Sequence, residues 1–475
     1  MQVYNTLTRT KEPLQPIKPG KVSIYTCGPT VYNFIHIGNA RVFVMFDVVR
    51  RYLRFRGYRV KYVQNLTDVD DKIINKAKEE GVSASEVAEK YIHHYFEDAD
   101  ALGIQRADYH PRATDFIPEM VSLIEKLLEK GFAYRVNGDI FFEISKFKEY
   151  GQLSHQNLEE LMEGVRIDVD PRLRHPLDFA LWKSAKPGEP SWDSPWGKGR
   201  PGWHIECSVM SSKYLGEEFD IHCGGHDLIF PHHENEIAQS RAATGKEFAR
   251  VWLHNGYLNI GGQKMSKSLG NITLVRELLK TTEPEAIRHF LLSAHYRRPL
   301  DFNEDSFSES ESALKRVYTA LDKAERQARL LEKRTARPAS AEISLEDIRK
   351  KLAAEFEEAM DDDFNTPKAL AAFFNMVRDL NKILDGAEAW KCSPDELHSL
   401  AQETRRLGAV LGLFQRAASG ADTELSAKLL DMLITLRAEA RARKDFALAD
   451  AIRSRLADLG IALEDTPDGT FWRMK

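Results

Sequence analysis

A short β-branched and aromatic run, Val22 to Thr26, lies between Lys21 and Cys27-Gly28-Pro29. That pattern predicts a buried strand ending in a turn. A loop through Asn39 follows. From Ala40 to about Arg56 apolar residues recur at helical spacing (Val44, Phe46, Val48, Val49, Leu53), and Gly57 marks the stop. Val60 to Leu66 reads as the next strand. Strand, loop, helix, strand is one βαβ unit, so a parallel sheet is expected.

Residues 115–205 are more mixed. A helical stretch, Pro118 to Lys130, gives way to a run rich in Pro, Gly and Trp, Lys186 to Trp203, which reads as an insertion and a surface loop. The α/β pattern resumes with Phe219-Asp220-Ile221-His222, Gly224-Gly225 and a helix opening near Pro231. Past about residue 305 long amphipathic helices rich in Ala, Leu, Glu, Lys and Arg take over. Residues 305–420 read as a helical bundle, with a polar break at Arg334 to Ser340. One more helical pair and a short tail from Gly460 to Lys475 complete the chain. The expected division is 1–115, 116–205 (insertion), 206–304, 305–420 (bundle) and 421–475.

Length and composition change this picture little. At 475 residues about three domains are expected. Hydrophobic content of 43% and charged content of 29% are ordinary for globular protein. A net charge of −5 means that any nucleic-acid contact must come from local basic patches. Four cysteines are too sparse for a disulfide scaffold. The start lacks a charged segment followed by an apolar one, and no apolar run is long enough to span a bilayer. A cytoplasmic location is expected, with no membrane partner.

Two segments suggest phosphate chemistry. His36-Ile37-Gly38-Asn39 falls between the first strand and helix, at the sheet edge where such folds bind nucleotides. The following helix N-terminus offers free N–H groups to phosphates, and Gly38 permits close backbone approach. Lys264-Met265-Ser266-Lys267-Ser268 lies in a glycine-flanked stretch. Its ammonium groups suit neutralising a departing pyrophosphate. Taken alone, His36 is more often a buried structural histidine than a catalyst, and the lysines read as a solvated loop.

The pair, in this order, resembles the HIGH and KMSKS signatures of class I aminoacyl-tRNA synthetases. The second matches at every letter; the first has Asn39 in place of the final histidine. The resemblance implies that His36, Asn39, Lys264 and Lys267 act catalytically and that His36, Gly38, Ser266 and Lys267 bind ATP, with Mg2+ accompanying it.

Cys27, Cys207, His232 and Glu236 supply two thiolates, an imidazole and a carboxylate, a set suited to zinc. If Pro231 opens a helix, His232 and Glu236 share one face, while His233 and Glu234 point elsewhere. The spacing is no CxxC pattern. Read without the flanking motifs, the two cysteines are more readily small buried apolar residues and His232/Glu236 a surface helix pair. Tyr25-Thr26-Cys27-Gly28-Pro29-Thr30, Gly202 to Cys207 and Phe230 to Glu236 resemble the zinc-binding segments of cysteinyl-tRNA synthetases. This resemblance implies one Zn2+ that binds the substrate thiolate. It also implies that Trp203 and His204 wall the side-chain pocket, and that Thr67 and Asp227 hold the amino group or the ribose. Cys223 reads as a packing residue.

Arg41 to Lys61 carries seven basic residues against Asp47 and reads as a solvated helix face. Near the end, Arg437, Arg441, Arg443, Lys444, Arg453 and Arg455 outnumber Glu439, Asp445 and Asp450, and Phe471-Trp472 follows. Aromatic and basic groups together suit splayed RNA bases. Lys444 through Asp465, and Met360 through Pro367, also resemble cysteinyl-tRNA synthetases. The resemblance implies an α/β fold: a Rossmann-type parallel-sheet catalytic domain with an insertion, an α-helical bundle and a small C-terminal anticodon-binding domain. The implied function is that of a monomeric enzyme using ATP, L-cysteine and tRNA(Cys), with Arg441, Lys444 and Trp472 contacting the RNA. Two rivals are a ligase that transfers cysteine to an amino sugar and a zinc-containing RNA-binding paralogue without catalysis.

Overall fold

The computed structural model describes residues 1–157, 170–264, 272–303, 305–332, 344–386, 389, 391–416, 420–459, 461–466 and 469–474. It divides into two compact units, Met1–Phe414 and Gln415–Lys475.

The first unit is built on four parallel strands: β1 (Lys21–Thr26), β2 (Arg59–Gln64), β3 (Phe219–Gly225) and β4 (Ala249–Asn255), in the order β4-β3-β1-β2. Non-sequential neighbours require crossovers. Helix α1 (Ile37–Phe55) makes the first, while α2 (Trp203–Leu215) precedes β3 and α3 (Glu234–Thr244) links β3 to β4. The βαβ expectation holds. Helix α1 begins three residues earlier than its apolar spacing suggests, because His36 caps it. Gly28 lets the end of β1 pass the end of β2: a Cβ there would sit 1.7 Å from the Asn65 carbonyl oxygen.

The insertion forms a four-stranded antiparallel sheet, Ala133–Val136, Asp139–Phe142, Phe179–Ser184 and Gly199–Pro201. The run Lys186 to Trp203 is therefore not all surface loop. Its end is an edge strand whose buried Arg200 pairs with Asp71 and Glu189.

The basic stretch from Arg41 to Lys61 is only partly the solvated face expected: Arg54, Arg56, Arg59 and Lys61 are exposed, but the residues nearer the start of α1 are not. Arg41 and Arg50 are buried. Arg41 donates to the carbonyls of Gly256, Tyr257 and Arg298, fastening these distant chain turns to α1. Asp47, also buried, accepts from Arg50 (2.6 Å), Arg51 (2.8 Å) and Arg288 (2.6 Å). Arg288 lies on α4 (Pro284–Leu292) and also donates to the carbonyls of Leu411 and Leu102. Periodicity cannot reveal this, since a buried guanidinium needs carbonyls supplied by distant segments.

Four helices form the expected bundle: α5 (Ser306–Glu332), α6 (Leu345–Asp361), α7 (Thr366–Leu384) and α8 (Pro394–Leu411). Their apolar faces share one core with α1. The break expected at Arg334–Ser340 lies outside the described residues. Asp363 follows α6 at φ 62° and ties three segments together. Its carboxylate accepts from the Tyr4 backbone N–H (2.8 Å), the Tyr296 hydroxyl (2.8 Å) and Arg297 Nε (2.7 Å). The Met360–Pro367 motif thus contains a buried joint.

The second unit contains α9 (Gly420–Ala442), α10 (Phe446–Asp458) and an antiparallel hairpin, β5 (Ile461–Thr466) with β6 (Gly469–Met474). The described part of the expected tail, Ile461–Thr466 and Gly469–Met474, is a hairpin. Arg437 grips Asp465 through both guanidinium nitrogens, at 2.7 and 2.8 Å, and so ties the hairpin to α9.

Candidate active site and metal centre

Parallel strands all end at one edge, and the candidate residues collect there. Cys27 is the first residue beyond β1. Cys207 lies one turn into α2. Between β3 and α3 the chain makes a wide turn over Ile229–His233, with Phe230 extended (φ −134°, ψ 133°). The α-helix proper starts at Glu234, not at Pro231.

That turn still brings His232 to Glu236, with Nε2 3.1 Å from Oε1. The Cys27 and Cys207 sulfurs are 3.7 Å apart, and Cys27 Sγ is 3.7 Å from Glu236 Oε1. Donors about 2.3 Å from a tetrahedral zinc stand about 3.8 Å from each other, and the shorter N and O bonds bring that pair to about 3.3 Å. One donor atom from each of Cys27, Cys207, His232 and Glu236 lies within 4.8 Å of the others, and all four residues are buried. The donor set therefore fits the ion in both chemistry and spacing.

The wide turn also overturns one expectation. His233 does not point away: its Nε2 is 3.3 Å from Cys27 Sγ. A second group, Cys27, His222, His233 and Glu236, meets the same distance limit. The two groups share Cys27 and Glu236, so one ion serves only one of them. Two thiolates are softer than one, which favours the group with Cys207 for zinc. In that arrangement His222 Nε2 bonds the other oxygen of Glu236 at 2.8 Å, while His233 Nδ1 meets His254 Nε2 at 2.8 Å. Such outer contacts orient metal ligands. Sequence reasoning missed His222, His233 and His254. The doubled His232-His233 was the available signal, and assuming regular helix discarded half of it.

Charge divides the four donors: without metal, Glu236 and Cys207 are biased towards their ligating forms, His232 and Cys27 away from them. Burial opposes charge on Glu236, yet His222 and His232 hold its carboxyl down at about 2. Burial likewise opposes a charged His232, but Glu236 and Cys207 push it up to about 10. Burial, with Cys207 and Glu236, pushes the Cys27 thiol up. Although burial works against it, Cys27 and His232 draw Cys207 down to about 6.

Around this centre, Trp203 opens α2 with its ring 4.3 Å from that of His232. His204 Nδ1 is 3.0 Å from His232 Nδ1. The buried Thr67 hydroxyl donates to Glu206 (3.1 Å) and accepts from Asn65 (3.2 Å). Asp227 is exposed on the turn after β3. Cys223 is buried on β3 and belongs to neither donor group, in keeping with packing.

His36 caps α1. The Asn39 N–H donates to His36 Nδ1 (3.1 Å), and the His36 N–H donates to Asn39 Oδ1 (3.2 Å). This reciprocal pair explains what asparagine does at that position. With Nδ1 accepting, a neutral His36 carries its proton on Nε2. Gly38 lies in the same first turn. Lys264 ends a two-residue strand paired with Asn259–Ile260. Ser266 and Lys267 lie outside the described residues. The chain that follows them pairs with the His36 segment: Ile37 N–H donates to Thr273 O (2.9 Å) and Val275 N–H to Ile35 O (3.0 Å). In the second unit, Arg441 bonds Asp465 at 3.1 Å, Lys444 is exposed, and Trp472 pairs by backbone with Leu463.

Three family models match in succession. The tRNA synthetases class I (C) catalytic domain covers residues 13–312, the DALR domain 355–415, and the cysteinyl-tRNA ligase anticodon-binding domain 424–473. The cysteine–tRNA ligase of Pelotomaculum thermopropionicum is 51% identical over 488 residues, covering 100% of this chain and 99% of the relative. That of Clostridioides difficile is 50% identical over 475 residues, covering 100% of both. In fold the chain is similar to Mycobacterium tuberculosis methionyl-tRNA synthetase in complex with methionyl-adenylate. The TM-score is 0.65 at 17% identity, over 87% of this chain and 94% of that one. Half-identity along the entire chain, on a class I fold with this donor set at its carboxyl edge, makes the chain a member of the cysteine–tRNA ligase family of class I aminoacyl-tRNA synthetases.

Proposed function

We propose that this chain activates L-cysteine with ATP and passes the cysteinyl group to the 3′ end of tRNA(Cys), with Zn2+ held by Cys27, Cys207, His232 and Glu236. The observation that carries this reading is the buried donor group one residue beyond β1, on the same sheet edge as the His36 cap. When bound, zinc supplies a Lewis acid that holds a soft thiolate and leaves serine's hydroxyl a poor ligand. Shape alone separates such near-isosteres by only about 10–200-fold.

The protein's residues do the rest by positioning and electrostatics. Trp203 and His204 wall the side-chain end, while Thr67 and Asp227 hold the amino group or ribose. Gly38 lets the α1 N-terminus approach the ATP phosphates, which Mg2+ accompanies. His36 donates from Nε2 to the phosphate as the cysteine carboxylate attacks, and Lys264, Ser266 and Lys267 neutralise the departing pyrophosphate. Residues 1–115 and 206–304 form the catalytic halves, 116–205 the insertion, 305–420 the bundle and 421–475 the anticodon-binding region. There Arg441, Lys444 and Trp472 contact the tRNA. The match over 424–473 supports a tRNA acceptor over an amino sugar. The enzyme works as a cytoplasmic monomer.

Cysteine-dependent ATP–pyrophosphate exchange tests this, with serine as control and before and after zinc removal. Exchange with cysteine alone, abolished with the metal, is the expected result. No exchange from folded, zinc-loaded protein sinks the proposal. The same assay separates His36 from Asn39. His36→Ala removes a donor to developing charge, so kcat is expected to fall about 10²–10³-fold. Asn39→Ala leaves the Nδ1 contact from the backbone intact and is expected to cost less than about 10-fold, with about 0.5–1.5 kcal/mol of stability lost with the Oδ1 hydrogen bond. Equal kinetic losses would show that Asn39 does more than capping.

A further inference from the structure

Leu274 lies antiparallel to His36, and backbone hydrogen bonds flank the pair: Ile37 N–H to Thr273 O (2.9 Å) and Val275 N–H to Ile35 O (3.0 Å). Two residues back along one segment and two forward along the other, Phe34 falls opposite Arg276, and their side chains meet. The Arg276 guanidinium carbon lies 3.8 Å from the centre of the Phe34 ring, within cation–π range. The same guanidinium reaches Asp98 Oδ1 at 3.2 Å and Glu97 Oε2 at 3.4 Å, both on the helix Ala84–Ala101. That helix also meets the Phe34 ring directly, through Tyr91 edge-on at 5.3 Å and His94 at 5.0 Å. Asp98 is buried, so its carboxylate needs the cation that Arg276 supplies.

This clasp bears on the backbone that sets His36. His36 is extended (φ −98°, ψ 165°), and in that conformation Nδ1 accepts from the Asn39 N–H while Nε2 is left for a phosphate. A donor stabilises developing charge only where it is already aimed. A shift of about 1 Å can cost up to about 10²-fold in rate. Two backbone hydrogen bonds, at about 0.5–1.5 kcal/mol each, are a slender join for that task. Arg276 adds a flat stack on Phe34 and an ion pair to a separate helix. A lysine would keep the charge but has no flat face to stack.

We propose that Arg276 is a positioning residue for cysteine activation: by clamping Phe34 and pairing with Asp98 it fixes the segment that carries His36, and so the aim of Nε2 at the phosphate. This rests on the role given to His36 above. Arg276 acts through that histidine and not on the substrate, so its effect should vanish when the imidazole is gone.

A double-mutant cycle in ATP–pyrophosphate exchange tests this. Arg276→Leu is expected to lower kcat about 10-fold. The KM for cysteine and the zinc content should stay those of wild type, because the amino-acid pocket is untouched. In a His36→Ala background the same change is expected to cost less than about 2-fold, since residues that act as one unit are not additive. Arg276→Lys is expected to fall between, at about 3-fold, and carries the same cycle if the leucine variant does not fold. Equal losses in the two backgrounds overturn the proposal, as does an unchanged kcat beside a lowered melting temperature, the mark of a purely structural clasp. Wild type without exchange overturns the ligase reading and this proposal with it; active wild type beside additive losses overturns the role of Arg276 alone.

Discussion

Cys207→Ser is expected to lose zinc and to lower cysteine-dependent pyrophosphate exchange by more than about 100-fold, because loss of a ligand exceeds the 10–100-fold cost typical of the contacts behind it. Serine keeps the shape but replaces a soft, acidic donor with a hard hydroxyl that zinc does not deprotonate as readily. The substitution also tells the two donor groups apart. Cys27 and Glu236 belong to both, Cys207 and His232 to one, His222 and His233 to the other. His222→Ala and His233→Ala are expected to weaken zinc about 10–100-fold while leaving one ion per chain at saturation. If instead Cys207→Ser retains stoichiometric zinc and the two histidine variants do not, the ion sits in the other group. Zinc uptake should also strengthen as pH rises, since metal binding must displace the proton from a His232 held up to about 10. Metal content by elemental analysis and exchange at several pH values provide both checks.

The second large effect lies far from this chemistry. Asp47→Asn or Arg288→Met is expected to destabilise the first unit by about 3–5 kcal/mol, the usual cost of removing one partner from a buried ion pair. Asp47 is surrounded by Arg50, Arg51 and Arg288, so neutralising it leaves three guanidiniums uncompensated. Removing Arg288 also strips donors from the Leu411 and Leu102 carbonyls, where α8 meets α1 and α4. The packing there is tight. Gly412 has φ +69°, and a Cβ on it would lie 2.4 Å from Arg288 Nε. Burial alone would raise the Asp47 carboxyl, but Arg288, Arg51 and Arg50 hold it below its ordinary value. A depressed carboxyl contributes stability that is complete above the unfolded value, about 3.9, and is lost as pH falls through the folded value. Denaturant midpoints should therefore differ between wild type and Asp47→Asn at neutral pH and converge below about pH 4. A difference under about 1 kcal/mol at neutral pH would refute the reading of this cluster as structural.

Much of the architecture was legible from short-range pattern. The β-branched run of β1, the apolar spacing of α1 and Gly57 behind it depend on neighbours within a few residues. The alanine-rich amphipathic helices of the bundle do so too. The donor group with Cys207 was legible through the resemblance of three short segments. Other features were not. The hairpin of the second unit pairs residues that carry little alternation, and Arg41, Arg50 and Arg51 look in sequence like a surface face.

What the sequence determined by itself was therefore local: the types of most elements and the residue kinds able to hold phosphate or metal; the cap at His36 came from the structure. Only the tertiary structure decided which charges are buried and which histidines join the donor cluster, because those depend on carbonyls, carboxylates and sulfurs brought together across hundreds of residues. Asp47 meets Arg288 and Cys27 meets His233 for that reason. A guanidinium or imidazole costs free energy to bury until such partners arrive, and no periodicity in the chain records their arrival.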